Sequence, residues 1–302
     1  MPESDFHAKA GHLTMLEPDL SLVLAPNPSP MTGPGTNTYL LGRESLAVID
    51  PGPASDAHLA ALITAIDGRP VSHIVVTHSH LDHSPLAKPL SDHTGAPVIA
   101  FGDTYAGRSA VMAALAKDGM AGGGEGLDHD FAPDQLVKDG DVIKGQGWDL
   151  SVIHTPGHLG NHIALGWNDA IFVGDLVMGW STSLVSPPDG DMTDFLASCA
   201  RLREIPARVH YSGHGAPITA PHARLTELIN HRESRTAQIL ATLQDGPHSV
   251  SQIVTAIYTD LHPRLHVIAG RNVFAHLVDL YVQNKVHVDG RLHPEAVFSR
   301  AD

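Results

Sequence analysis

From about Leu46 to Gly215, short apolar runs of strand length alternate with stretches of helical period, the order expected of an α/β domain. The runs "LAVID", "HIVVT", "PVIA", "LSVIHT", "AIFVGD" and "RVHYSG" are rich in Val and Ile and end at Gly, Pro, Asp or His. Between the first two, "SDAHLAALITAI" sets Leu59, Leu62, Ile63 and Ile66 at helical spacing behind a Ser/Asp cap. A further helix is predicted after "PPDGDM", with Phe195, Leu196, Cys199 and Leu202 on its inner face. The stretch from Ala116 to Asp130 reads as a flexible surface connector, because its glycines lack the spacing and context of a phosphate-binding loop.

After His214 the strand-length runs cease. A long amphipathic pattern opens at Pro221, and "HSVSQIVTAIY" and "NVFAHLVDLYVQNKV" read as two more helices before the Gly-centred turn of "HVDGRLHP". Three helices followed by a short hairpin is the order of a winged helix. Residues 1–220 are therefore read as one domain and 221–302 as a winged-helix-like second one.

Composition narrows the setting. The chain is 42% hydrophobic and 17% charged, and no apolar run approaches the roughly 18 residues that span a bilayer. "MPESDFHAKAGHL" has neither the basic start nor the apolar core of a secretory signal, so a cytoplasmic location without membrane association is expected. The single Cys199 excludes an intrachain disulfide and a multi-cysteine zinc cage; its helical context suits a small buried apolar residue. The formal net charge of −14 disfavours diffuse binding to nucleic acid or anionic lipid.

Histidine changes the picture. "THSHLDH" crowds His78, His80, Asp82 and His83 behind the apolar run that ends at Val76. The chain holds 22 His, so a cluster could be an accident of composition. However, His158 in "TPGHLGNH", Asp175 in "FVGD" and His214 in "YSGHG" also stand just beyond apolar runs. In an open α/β sheet, C-terminal strand ends converge on the ligand crevice. His7, His12, His58, His93, His222, His248 and His287 do not share that placement and are read as surface or incidental. Imidazole and carboxylate donors without thiolate suit Zn²⁺, with Mn²⁺ or Fe possible. Seven ligands exceed one tetrahedral ion and suit two ions about 3.5–4 Å apart that share a carboxylate, Asp175 being the natural bridge. A water between them would be acidified to attack a carbonyl or phosphorus.

These motifs, "THSHLDH", "TPGH", the Gly174-Asp175 pair and "GHG", resemble in order those of the metallo-β-lactamase superfamily, as do "GPGTNTYLLG" and "VIDPG" upstream. The resemblance implies an αββα sandwich in which His78, His80 and His158 bind one metal, Asp82, His83 and His214 the other, and Asp175 bridges. Asp50 then resembles the family's supporting carboxylate, against a plain turn-forming Asp before Pro. His162 resembles a supporting histidine that is not itself a ligand; His154 reads as structural. Two departures from the family pattern stand out. Pro85 and Leu86 stand where glycines are usual, with Ser84 a possible N-cap for the helix that follows. Ser212 replaces a common proline.

Within the superfamily, the bridging aspartate argues against a true β-lactamase. The "GTNTYL" start and a tail beginning near His231, Arg232, Arg235 and Gln238 to Leu240 resemble the lactamase-β-2-like hydrolases. That implies a metal-dependent hydrolase in which a metal-bound hydroxide, oriented by Asp82, attacks a small-molecule thioester, ester or lactone, as in a hydroxyacylglutathione hydrolase. The alternative is a single-strand endoribonuclease or phosphodiesterase, with RNA as partner. A third reading is a non-catalytic, metal-stabilised module binding nucleic acid or a protein. The third tail helix offers Arg271, His276 and Lys285 among many apolar residues, a poor groove reader, so the tail is expected to cover the site or form a homo-oligomer contact. The loop Leu184 to Met192 is either a cleft wall or a turn that caps the next helix.

Overall fold

The structure, a computed structural model, describes residues 7–122, 126–259, 262 and 266–301. Two sheets face one another. The first, of seven strands, runs in spatial order β1 (Leu13–Glu17), β2 (Leu20–Leu24), β3 (Asn37–Leu41), β4 (Leu46–Ile49), β5 (Val71–Val75), β6 (Val98–Ala100) and β7 (Gln135–Leu136). It is antiparallel from β1 to β4 and parallel from β4 to β7. The second contains β8 (Val142–Gly145), β9 (Trp148–His154), β10 (Ile163–Trp167), β11 (Ala170–Gly174) and β12 (Val209–Ser212) in the order β12-β11-β10-β9-β8. Only its β11–β12 pair is parallel.

Alternation along the strands builds the core. Leu20, Leu22, Tyr39, Leu41 and Ile49 from the first sheet meet Leu150, Val152, Leu165, Phe172 and Tyr211 from the second. The outer face of the first sheet is covered by α1 (Asp56–Ile66) and α2 (Ala87–Thr94), through Leu62, Ile66 and Leu90. The outer face of the second is covered by α4 (Met192–Arg203) and by the first half of α5 (Pro221–Thr242), and α3 (Ala110–Lys117) lies between α2 and α4 in the chain. The molecule is thus an αββα sandwich, as the motifs implied.

The predicted helices form for the expected reasons, with adjustments. The Ser55 hydroxyl caps α1 at the His58 amide. Asp191 caps α4, whose Phe195, Cys199 and Leu202 are fully buried while Leu196 is half-buried. Burial pushes the Cys199 thiol up to about 12, as befits a small apolar residue. Ser84 does not cap α2: its hydroxyl donates to Asp128 Oδ2 at 2.7 Å, and the helix starts three residues later, after Leu86. His58, read as incidental, is fully buried and shares a hydrogen bond with Thr38 Oγ1 at 2.9 Å. Of the connector from Ala116 to Asp130, residues 123–125 lie outside the described ones. Its second half is held down, because Leu127 pairs with His80 and the Asp128 amide donates to Ser79 O.

Beyond the sandwich, α6 (Val250–Ile257) and α7 (His266–Val282) pack with the second half of α5 and a small sheet of β13 (His248–Ser249), β15 (Val297–Arg300) and β14 (Val286–Val288). Met112 and Leu115 of α3 join that cluster. Helix α5 therefore belongs to both cores. Leu225, Leu228 and Ile229 pack with α4, and Ile239 packs with α6 and α7.

Candidate metal centre

The seven expected residues meet at one end of the sandwich. His78, His80, Asp82 and His83 follow β5, His158 follows β9, Asp175 follows β11 and His214 follows β12. Backbone bonds stitch the sheets together there: the Asn37 amide donates to Gly213 O and the Ile163 amide to Thr77 O, each at 2.8 Å. His78, His80 and His158 form one group, and Asp82, His83, Asp175 and His214 another, with donor atoms inside each group within 4.8 Å of one another. All seven are buried. The approach is close enough that a Cβ on Gly213 would meet Asp175 Oδ1 at 2.2 Å, which accounts for the glycine before His214.

Supporting partners fix each ring. In the first group, Thr77 Oγ1 gives its proton to Asp50 Oδ2 at 2.7 Å, so it accepts from His78 Nδ1 at 3.0 Å. His158 Nδ1 donates to Leu184 O at 2.8 Å. Both rings are left with Nε2 lone pairs, pointing at His80 Nδ1 from 3.1 and 3.0 Å. One nitrogen carries at most one proton, so the described atoms cannot satisfy this trio among themselves. Burial first, and then neighbouring imidazoles, lower His78 well below the usual range and His80 to about 3. Burial likewise lowers His158. Neutral rings with inward lone pairs are what a cation requires.

The second group makes the same demand with charge. His83 Nδ1 donates to Asp50 Oδ2 at 3.0 Å, and His214 Nδ1 donates to Gly35 O at 3.1 Å. His83 Nε2 then faces Asp82 Oδ2 at 3.3 Å and Asp175 Oδ1 at 3.5 Å, while His214 Nε2 faces Asp82 Oδ2 at 3.1 Å and Asp175 Oδ2 at 3.2 Å. Two imidazole nitrogens that face carboxylates call for positive charge between them, whether a proton on Nε2 or a metal ion. Burial opposes protonation, yet the Asp175 charge and the bonds to Asp175 and Asp82 lift His214 to about 10. His83 is raised too, by Asp82, Asp175 and Asp50 against burial. Burial would raise the two carboxylates, but the facing imidazoles hold Asp82 and Asp175 below the usual range. Asp82 Oδ1, Asp175 Oδ1 and His83 Nε2 are buried without a hydrogen-bond partner. Asp175 lies between the groups, its Oδ2 3.7 Å from His158 Nε2 and 3.2 Å from His214 Nε2. These residues can hold two metal ions.

Those observations decide the family. The chain belongs to the metallo-β-lactamase superfamily. Residues 31–214 match the family described as "Metallo-beta-lactamase superfamily", and residues 249–294 match "Beta-lactamase associated winged helix domain". A "Beta-lactamase-like protein 2 homolog" of Drosophila melanogaster is 30% identical over 289 residues, covering 91% of this chain and 92% of that protein. An "Atrochrysone carboxyl ACP thioesterase" of Aspergillus fumigatus is 29% identical over 240 residues, covering 76% of this chain and 68% of the relative. Among solved structures, a metallo-beta-lactamase family protein of Thermus thermophilus superposes with a TM-score of 0.75 at 26% identity, over 95% of this chain and 100% of its own. This chain is a metal-dependent hydrolase of that superfamily. No helix among its described residues is long and apolar enough to cross a membrane.

The remaining expected residues of this superfamily member support from behind. Asp50 accepts from the Thr77 amide at 2.7 Å as well as from Thr77 Oγ1 and His83. His162 Nε2 accepts from the Asp175 amide at 3.2 Å, so its Nδ1 donates to Thr155 Oγ1 at 2.8 Å. His154 lies outside the centre, with Nε2 donating to Gly160 O at 3.0 Å and its ring stacked on Phe101 at 3.9 Å. Sequence reasoning missed Thr77, whose only signal was a hydroxyl next to a ligand. It also missed the carbonyls of Gly35 and Leu184, which leave no signal. The loop from Leu184 to Met192 does cap α4 through Asp191.

Proposed function

We propose that the seven residues hold two divalent ions, zinc by preference of the nitrogen and oxygen donor set, and that the enzyme hydrolyses small acyl compounds: thioesters, esters or lactones. In this reading His78, His80 and His158 hold one ion, Asp82, His83 and His214 the other, and Asp175 both. The observation that carries it is the His78, His80 and His158 trio, whose inward lone pairs no described atom satisfies, beside the unpartnered carboxylate oxygens of Asp82 and Asp175. Two ions held there supply the Lewis acidity that polarises an acyl carbonyl and bring the pKa of a water to roughly neutral.

The chain's own groups do the rest. Asp82 Oδ1, buried and without a partner, accepts a hydrogen bond from the attacking water and orients it toward the carbonyl. Asp50, through His83 and Thr77, and Gly35, through His214, keep the rings turned inward, so little reorganisation is needed when charge develops on the carbonyl oxygen. Acyl substrates are favoured over RNA because the chain carries a net charge of −14, which repels a polyphosphate. The named thioesterase among its relatives points the same way.

The test is a panel of an acyl thioester, a lactone, a phosphodiester and single-stranded RNA, offered to enzyme stripped by a chelator and then restored with zinc. Thioester or lactone turnover that disappears on stripping, returns with zinc and is lost in His80→Ala is the expected result. Turnover unchanged in His80→Ala overturns the metal reading, and cleavage of RNA alone overturns the acyl one.

A further inference from the structure

Three arginines from the C-terminal helices grip one segment, the loop between Asp175 and α4. From α5, Arg224 donates through Nε to Met178 O at 2.8 Å and through Nη2 to Ser181 O. Also from α5, Arg232 donates through Nη2 to Ser183 O and through Nη1 to Asn272 Oδ1 at 3.2 Å. From α7, Arg271 donates to Ser186 Oγ at 3.1 Å and to Ala121 O at 3.3 Å.

Arg232 is unlike the other two. It is 2% exposed, it has no ion-pair partner among the described residues, and its Nε has no acceptor. The guanidinium lies 5.3 Å from the centroid of the Phe195 ring, and burial lowers its pKa to about 10. A buried cation without a counter-charge is expensive, and a well-packed apolar side chain would serve stability at least as well. The carbonyl it holds belongs to a two-residue hub. Ser183 Oγ donates to Leu176 O at 3.0 Å, the residue that follows Asp175. Leu184 O accepts the Nδ1 proton of His158 at 2.8 Å. One short segment thus fixes a ring of the first group and the backbone beside the carboxylate that joins the groups.

We propose that Arg232 is a positioning residue of the metal centre: by holding Ser183 O it sets the Ser183–Leu184 hub, and so the direction of His158 Nε2 and the placement of Asp175. On this view the C-terminal helices reach into the metal site through the guanidinium groups they present, without contributing a ligand. The inference rests on the two-ion reading above.

Its test uses the full-length protein, zinc affinity measured against a chromophoric chelator, and the visible spectrum of the cobalt-substituted form. Wild type binding two zinc ions is the prerequisite; failure there removes the metal reading itself, whatever the variants do. Given that binding, Arg232→Met is expected to weaken zinc by about 10–100-fold and to shift the cobalt spectrum, as loss of an outer partner of a ligand does. Arg232→Lys restores part of both, and Ser183→Ala moves both in the same direction as Arg232→Met. Wild-type zinc affinity and spectrum in Arg232→Met, with only a lower melting temperature, would show that the arginine merely stabilises the fold and overturns the proposal. If Arg232→Met does not fold, unchanged affinity and spectrum in both Arg232→Lys and Ser183→Ala overturn it equally.

Discussion

Asp50 combines two roles that its sequence context left as alternatives. Its φ of 52° puts it in the left-handed turn region, and its carboxylate accepts three hydrogen bonds, one of them from the ring of His83. Asparagine tolerates the same backbone, so Asp50→Asn isolates the electrostatic role. It replaces one acceptor oxygen by an amide NH₂ facing donors. Zinc affinity is expected to fall about 10–100-fold with the fold retained, read by chelator competition alongside circular dichroism. At this scale the residues able to hold metal were legible, because His and Asp at strand ends declare their chemistry. The carbonyls of Leu184 and Gly35 were not, since every residue carries a carbonyl and only the folded chain decides which one meets a ring.

The elements show where local rules give way. Ser84-Pro85 has the composition of a helix start, yet the Asp128 carboxylate, 44 positions along the chain, takes the Ser84 hydroxyl and α2 begins at Ala87. A long-range partner outcompetes a cap worth about 1 kcal/mol. The "TPGH" motif carries the opposite lesson. Gly157, at φ 134°, lies so close to α4 that a Cβ would meet the Phe195 amide nitrogen and Cα at 2.3 Å. Those are backbone atoms and cannot swing aside. Gly157→Ala should therefore cost at least ~1–3 kcal/mol from the backbone conformation alone. Thermal unfolding should show the midpoint lowered by several degrees, and the neighbouring His158 should bind zinc less tightly. A variant that melts with wild type would mean that α4 can move away from the motif.

Across the whole molecule, buried neutral histidines set the acid limit. Burial lowers His58 and His210 to about 4 and His276 to about 3, and none of the three belongs to either donor group. In the unfolded chain each titrates near 6.5. The unfolded state therefore binds more protons between those values, and stability falls as pH drops from about 6.5 toward 4. His58→Gln removes one such site. Between pH 7 and pH 5, wild type should lose on the order of 1–2 kcal/mol more than this variant in urea unfolding. Parallel loss in the two proteins would refute a neutral buried His58. Sequence placed His58 among surface or incidental residues because nothing local tells a buried imidazole from an exposed one; its ring is enclosed by distant residues, Thr38 of β3 and Gly52 beyond the Asp50 turn.

The sequence by itself determined the α/β pattern, the helix-rich tail and the cluster of residues able to hold metal, because periodicity and strand-end chemistry are local patterns that survive in one dimension; the sandwich was implied by the motifs' resemblance to a family. Tertiary structure alone decided that α5 serves two cores, which carbonyls and carboxylates orient each ring, and that arginines of the C-terminal helices hold the loop beside the candidate metal centre. Those contacts join residues tens to hundreds of positions apart. The chain's geometry chooses among many equivalent donors and acceptors, so residue type alone could not name them.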